Sequence, residues 1–127
     1  MFCFLLLVSK NCGKGELIID PETKTIEPSA YSDCKEYNGT LNLPPRLTEI
    51  GFGAFMGCTG FTGQLILPKT LQIIGYSAFS GCTGFTGVLN INSGIVSVGE
   101  QAFYGCTGFN SELVINAHLK NISSTSI

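Results

Sequence analysis

The hydrophobic pattern of the chain repeats with a period of 24 residues. Three successive units read "GTLNLPPRLTEIGFGAFMGCTGFT" (39–62), "GQLILPKTLQIIGYSAFSGCTGFT" (63–86) and "GVLNINSGIVSVGEQAFYGCTGFN" (87–110). A more charged unit, 15–38, precedes them and a partial unit, 111–127, follows. A fixed period in the twenties is typical of solenoids whose units stack on their neighbours. We therefore predict a repeat domain over 15–127, preceded by an apolar segment (1–14) that caps the first unit or is the remnant of an earlier one.

Each unit opens with two apolar residues separated by one other residue. A period of two predicts a short strand with one buried face, and stacking would pair these strands in parallel as a single ladder. Leu41, Leu65 and Leu89 should then lie in adjacent strands of one sheet. The pairs are Leu17/Ile19, Leu41/Leu43, Leu65/Leu67, Leu89/Ile91 and Leu113/Ile115.

The rest of each unit predicts the return path of a right-handed solenoid. Two further apolar columns point inward, one of them Ile26, Ile50, Ile74, Val98 and Ile122. Glycines at 51, 75 and 99 suggest a turn or a positive φ. The Ala-Phe pair that follows is expected on a short helical or 3-10 turn on the convex side, with Phe55, Phe79 and Phe103 stacked as buried neighbours.

Charge is scarce and uneven. Charged residues make up 13% of the chain and the net charge is −2, while residues 39–110 contain only Arg46, Glu49, Lys69 and Glu100. Nucleic acids and acidic membrane surfaces require a basic footprint, so both are disfavoured as partners.

The cysteines offer the sharpest chemical pattern. Cys34, Cys58, Cys82 and Cys106 are spaced 24 residues apart, whereas Cys3 and Cys12 lie outside the register. Zinc sites need converging thiolates, usually with two cysteines a few residues apart, and stacking places these four in a line instead. We favour buried, reduced thiols that fill a tight corner over a metal site, a disulfide between stacked cysteines or a redox role.

No catalytic constellation accompanies these cysteines. His118 is the only histidine and has no repeated acidic partner, and the glycine-rich stretches belong to the repeat. We expect no enzyme activity, cofactor or metal. The apolar run from Phe2 to Val8 is too short to span a bilayer and makes a poor signal peptide. Two sequons, at Asn38 and Asn121, would accept N-glycans if the chain is secreted from a eukaryotic cell.

The pattern Leu-x-Leu-Pro-x-x-Leu-x-x-Ile-Gly-x-x-Ala-Phe-x-Gly-Cys at 65–82 resembles the leucine-rich repeats of the BspA-like class, found in surface antigens. The first unit departs from this pattern, with Pro28 and Asp33 where other units have residues such as Phe52 and Gly57. The resemblance implies a curved solenoid, a cell-surface or extracellular setting and a role in binding or adhesion, and it implies no catalytic chemistry.

A partner would then meet the outward side chains of the first strands, on the concave side. The charge-poor set suits a protein or peptide ligand, for example a host surface or matrix protein. A structural spacer in a longer array stays open, as does ice or carbohydrate binding by the columns Thr59/Thr83/Thr107 and Thr62/Thr86, which we consider remote. The candidate face comprises Thr40, Asn42, Gln64, Ile66, Val88, Asn90, Asn92, Glu112 and Val114.

Overall fold

The computed structural model describes residues 12–110, 113–115 and 119. In this part of the chain the regular elements are six short parallel strands, and every paired residue lies 24 positions from its partner. This register confirms a stacked repeat fold with parallel strands. The strands are β1 (Thr25–Ile26), β2 (Glu49–Ile50), β3 (Ile73–Ile74), β4 (Leu89–Ile91), β5 (Ser97–Val98) and β6 (Leu113–Ile115).

The larger sheet has the order β1-β2-β3-β5. Ile26, Ile50, Ile74 and Val98 form one column that is at most 3% exposed, while the preceding residue of each strand points outward. β-branched residues favour such a half-buried, pleated position. This sheet lies at a column that the sequence placed on the return path, so the prediction that the main sheet lies at the start of each unit is wrong.

At the start of the units only β4 and β6 pair as strands. Leu41 and Leu65 are buried as expected, but they do not lie in strands, and the prediction of one continuous ladder through Leu41, Leu65 and Leu89 fails. Proline supplies the physical reason, because it has no N–H to donate to a ladder. Pro44 and Pro68 end these segments in the second and third units, whereas the corresponding residue beside β4 is Asn92.

The segments predicted as helical are hydrogen-bonded turns, and no helix occurs among residues 12–110, 113–115 and 119. The Ala54 N–H donates within its own unit to the Gly51 carbonyl (3.2 Å). The next N–H, that of Phe55, donates to the Ala78 carbonyl of the following unit (2.7 Å). Gly53 has a φ of 60°, which interrupts a right-handed helix. The turns therefore join neighbouring units as the strands do.

The core is a set of stacked columns. Phe55, Phe79 and Phe103 are at most 3% exposed, and their rings stack with centroids 5.3 and 5.4 Å apart, which confirms the predicted aromatic stack. Glycine is required at position 75 because the backbones of neighbouring units approach closely there, not because its φ is positive. An added Cβ would lie 2.8 Å from the backbone of Gly51. Cysteine, alanine and leucine columns complete the core between the turns and the strands.

Candidate binding face

The structure exposes most of the candidate face. Val88 and Asn92 are half-buried, and Glu112 lies outside the described residues. Ile66 is 60% exposed and Val114 40%, a large apolar exposure at a strand-side position. The other exposed members are Thr40, Asn42, Gln64 and Asn90.

A groove with a volume of about 520 Å³ lies between the second and third units on this face. Of the predicted residues it brings together Thr40, Asn42 and Ile66. Pro45 and Lys69, which the sequence reasoning did not select, also line it. The volume falls within the range of roughly 300–1,000 Å³ that is typical of ligand sites.

The groove coincides with the interruption of the ladder. Within the described chain, none of the backbone N–H groups of residues 41–43 and 65–67 donates a hydrogen bond. In β4, which pairs with β6, the corresponding segment forms a regular parallel ladder. The prolines that end the ladder thus leave unpaired main-chain donors in residues 41–43 on one side of the groove and in Ile66 on the other.

Two predicted face residues are used by the fold itself. The Asn92 side chain donates from Nδ2 to the Leu67 carbonyl (2.9 Å) and accepts from the Gly94 N–H at Oδ1 (2.9 Å). Gln64 Nε2 donates to the Val88 carbonyl (3.3 Å). Both side chains join neighbouring units, so they shape the face as well as line it.

The electrostatics of the face depend on very few charges. Arg46 forms an exposed ion pair with Glu22 (Nη1–Oε1 3.1 Å) in the preceding unit. Among the residues that the structure describes, Lys69 has no acidic partner within ion-pair distance. Lys69 is therefore an uncompensated positive charge at the edge of an otherwise neutral groove.

A second exposed apolar cluster was missed by the sequence reasoning. The rings of Phe52 and Tyr76 stack with centroids 5.4 Å apart, although these residues are 49% and 45% exposed. The Tyr76 hydroxyl donates to Gln101 Oε1 at 3.4 Å. The signal was present in the sequence, because both aromatic residues occupy the position directly after the repeated Ile-Gly pair.

The cysteine column behaves as packing. Cys58 and Cys82 are buried as expected, whereas Cys106 is half-buried; none of the three forms a disulfide, and each thiol donates to a backbone carbonyl of the preceding unit at 3.0 Å. Burial raises the pKa of Cys82 well above its ordinary value and that of Cys106 to about 11. A thiol that stays protonated at neutral pH is a poor nucleophile and metal ligand.

Cys34 differs from the rest of the column, because it forms a disulfide with Cys12 (Cα–Cα 5.2 Å). The expectation of a reduced thiol at Cys34 is therefore wrong. Gly13 packs against the Tyr37 ring, and the Gly15 N–H donates to the Glu36 carbonyl (3.0 Å). A disulfide, a packing contact and a hydrogen bond thus hold residues 12–15 against the last turn of the first unit.

Three other features singled out in the sequence are placed as follows. The Thr59/Thr83/Thr107 and Thr62/Thr86 columns are exposed, as is the sequon residue Asn38, while Asn121 and His118 lie outside the described residues. In the described part, no group of three or more His, Cys, Asp or Glu residues is arranged to hold a metal ion. No helical segment there has the length and hydropathy needed to cross a bilayer.

Comparison with known families gives one match. The sequence model of the BspA type leucine rich repeat region matches residues 9–127, in six copies. No curated protein and no solved structure shows significant similarity to the chain.

Proposed function

The chain belongs to the BspA-type leucine-rich repeat family, and on that premise we propose that it is a surface-exposed protein-binding module that mediates adhesion. The repeats would form a solenoid scaffold over 15–127, preceded by the apolar segment 1–14, which would be a cap or the remnant of a preceding coil. No catalytic role is proposed, since leucine-rich repeats generally serve protein interaction.

The observation that carries this proposal is the candidate face with its groove. Apolar side chains such as Ile66 are exposed beside small polar ones, and charge is nearly absent. Exposed apolar positions rimmed by polar residues mark interaction sites on soluble proteins. The 24-residue register places exposed apolar residues at this position in alternate units (Ile18, Ile66 and Val114), which suits a partner that spans several units.

The Cys12–Cys34 disulfide supports a cell-surface or extracellular location. Structural disulfides persist in oxidising compartments and are rare where thiols are kept reduced. In a eukaryotic secretory pathway the exposed sequon at Asn38 would be an acceptor for an N-glycan.

Binding to a panel of purified extracellular-matrix and cell-surface glycoproteins tests the proposal, with the chain immobilised for surface plasmon resonance. Asn90→Arg places a long charged side chain on the exposed face of β4 and should weaken binding at least tenfold. Thr83→Arg is the matched control, because it adds the same charge at an exposed turn, and it should leave binding within twofold of wild type. Equal responses of the two variants, or no binding by any panel member, would refute the proposal.

A further inference from the structure

The groove between the second and third units is elongated along the chain direction. One wall is formed by four consecutive residues, 40–43, and continues to Pro45. An extended backbone advances about 3.3 Å per residue, so this wall is roughly 13 Å long. The shape matches an extended segment of about four residues better than a compact ligand.

Main-chain recognition is available along this length. The N–H groups of residues 41–43 and 65–67 have no hydrogen-bond partner within the described chain. Exposed, unpaired peptide groups like those at a sheet edge are the template onto which an extended peptide adds, and the interrupted ladder leaves such groups in residues 41–43, which line the groove. By contrast, the equivalent segment of the fourth unit is paired in the β4–β6 ladder.

Side chains restrict the sequence of such a peptide. Ile66 presents an apolar surface that is 60% exposed, with prolines on either side of the groove. Lys69 lies at the edge, and its charge is not compensated by an acidic residue of the described chain, whereas Arg46 is paired with Glu22. A ligand that places an apolar side chain on Ile66 and a carboxylate near Lys69 would satisfy both features.

The geometry points to this groove as the binding site for an extended peptide segment of a partner protein, with an acidic side chain close in sequence to an apolar one. The inference rests on the proposed function and specifies which part of the face recognises the partner and by what chemistry. The rest of the face then contributes contact area around this site.

A positional-scanning set of fluorescein-labelled hexapeptide mixtures tests the inference by fluorescence polarisation. At each position in turn the fixed residue is Asp, Asn, Lys or Leu, and the full-length protein is titrated to 1 mM. Mixtures with Asp fixed at one position should bind more tightly than the matched Asn mixtures, and mixtures with Lys there should bind most weakly. Flat binding across the set, or a preference for Lys, would overturn the inference.

Two variants identify the groove as the site. Lys69→Gln should weaken binding of the best Asp peptide about two- to fivefold, which is the effect of losing an exposed ion pair. It should leave the affinity for the matched Asn peptide unchanged. Ile66→Asn should weaken both peptides about tenfold, because it removes the apolar contact. Asparagine already occupies the equivalent positions 42 and 90, so this variant should fold. Tyr104→Ala, an exposed aromatic residue outside the groove, is the control and should change neither affinity.

Equal weakening of the Asp and Asn peptides by Lys69→Gln would refute the charge recognition, and insensitivity to Ile66→Asn would refute the groove as the site. If no peptide binds while panel proteins still bind and respond to Asn90→Arg, the peptide inference alone fails. If the panel proteins do not respond to Asn90→Arg, the proposed function fails as well.

Discussion

Replacing Phe79 with alanine tests the packing on which the stack depends. Phe79 is fully buried, and its ring stacks on Phe55 at 5.3 Å and on Phe103 at 5.4 Å, with an edge contact to Phe85 at 6.1 Å. Truncation of a buried phenylalanine costs about 3–5 kcal/mol through lost transfer free energy and a residual cavity. Because this ring has stacking partners on both sides, collapse around the cavity would disrupt two further units, and we expect a value in the upper half of that range.

The free energy of unfolding is measured by urea denaturation, followed by circular dichroism because the chain has no Trp. Tyr104→Ala is the control, since Tyr104 is 61% exposed and a surface substitution should change stability by about 0.5 kcal/mol or less. The loss expected for Phe79→Ala is large compared with a total free energy of unfolding of roughly 6–19 kcal/mol for a chain of this length. A loss below about 1 kcal/mol for Phe79→Ala, or one equal to that of the control, would refute the stacked core.

Four further predictions concern the cysteines and the glycine column. Cys82 should resist iodoacetamide in the native protein at pH 7.5 and label fully in urea, as read by mass spectrometry, and rapid native labelling would contradict its role as packing. The pKa of Cys106 is raised to about 11 in the folded state from an ordinary 9.0, so its contribution to stability is complete below pH 9 and is lost as pH rises towards 11. The urea midpoint should therefore fall between pH 9 and pH 11. The Cys106→Ala variant should show a smaller fall, and an equal fall would show that another group titrates. The double variant Cys12→Ser/Cys34→Ser should lose about 3 kcal/mol, the closure entropy of a loop with a sequence separation of 22, and reductant should destabilise wild type but not the variant. Gly75→Ala should destabilise by at least about 2 kcal/mol in urea denaturation, since its Cβ would meet backbone rather than a flexible side chain, and near-neutral behaviour would show that the units are less closely apposed.

The sequence was sufficient for the register and the core, because each unit must bury the same side chains at the same height and Phe79 repeats Phe55 after 24 residues. It was misleading about which column forms the main sheet. Alternation at Leu65 and Leu67 indicates an extended segment, but it does not show whether that segment pairs with its neighbours. Pro68, which has no N–H to donate, ends the pairing.

Two other features required the structure. The turn around Ala54 has hydrogen bonds from residue i to residue i−3, as a 3-10 helix does. The positive φ of Gly53 nevertheless directs alternate N–H groups to the next unit, and helix propensity does not reveal this arrangement. The Cys12–Cys34 pairing depends on how residues 12–15 return to the first unit, and disulfide connectivity does not follow from cysteine spacing alone. The candidate face was identified by register, whereas its groove and the role of Lys69 emerged only from the interrupted ladder.

Hydrogen–deuterium exchange of the full chain, measured with and without the panel protein that binds it most tightly, tests the proposed binding role most directly. The account predicts slowed exchange in residues 40–43 and 64–67, where the backbone N–H groups of residues 41–43 and 65–67 are unpaired, and in β4. Protection confined to the surface around Phe52 and Tyr76, or no change at the candidate face on binding, would contradict it.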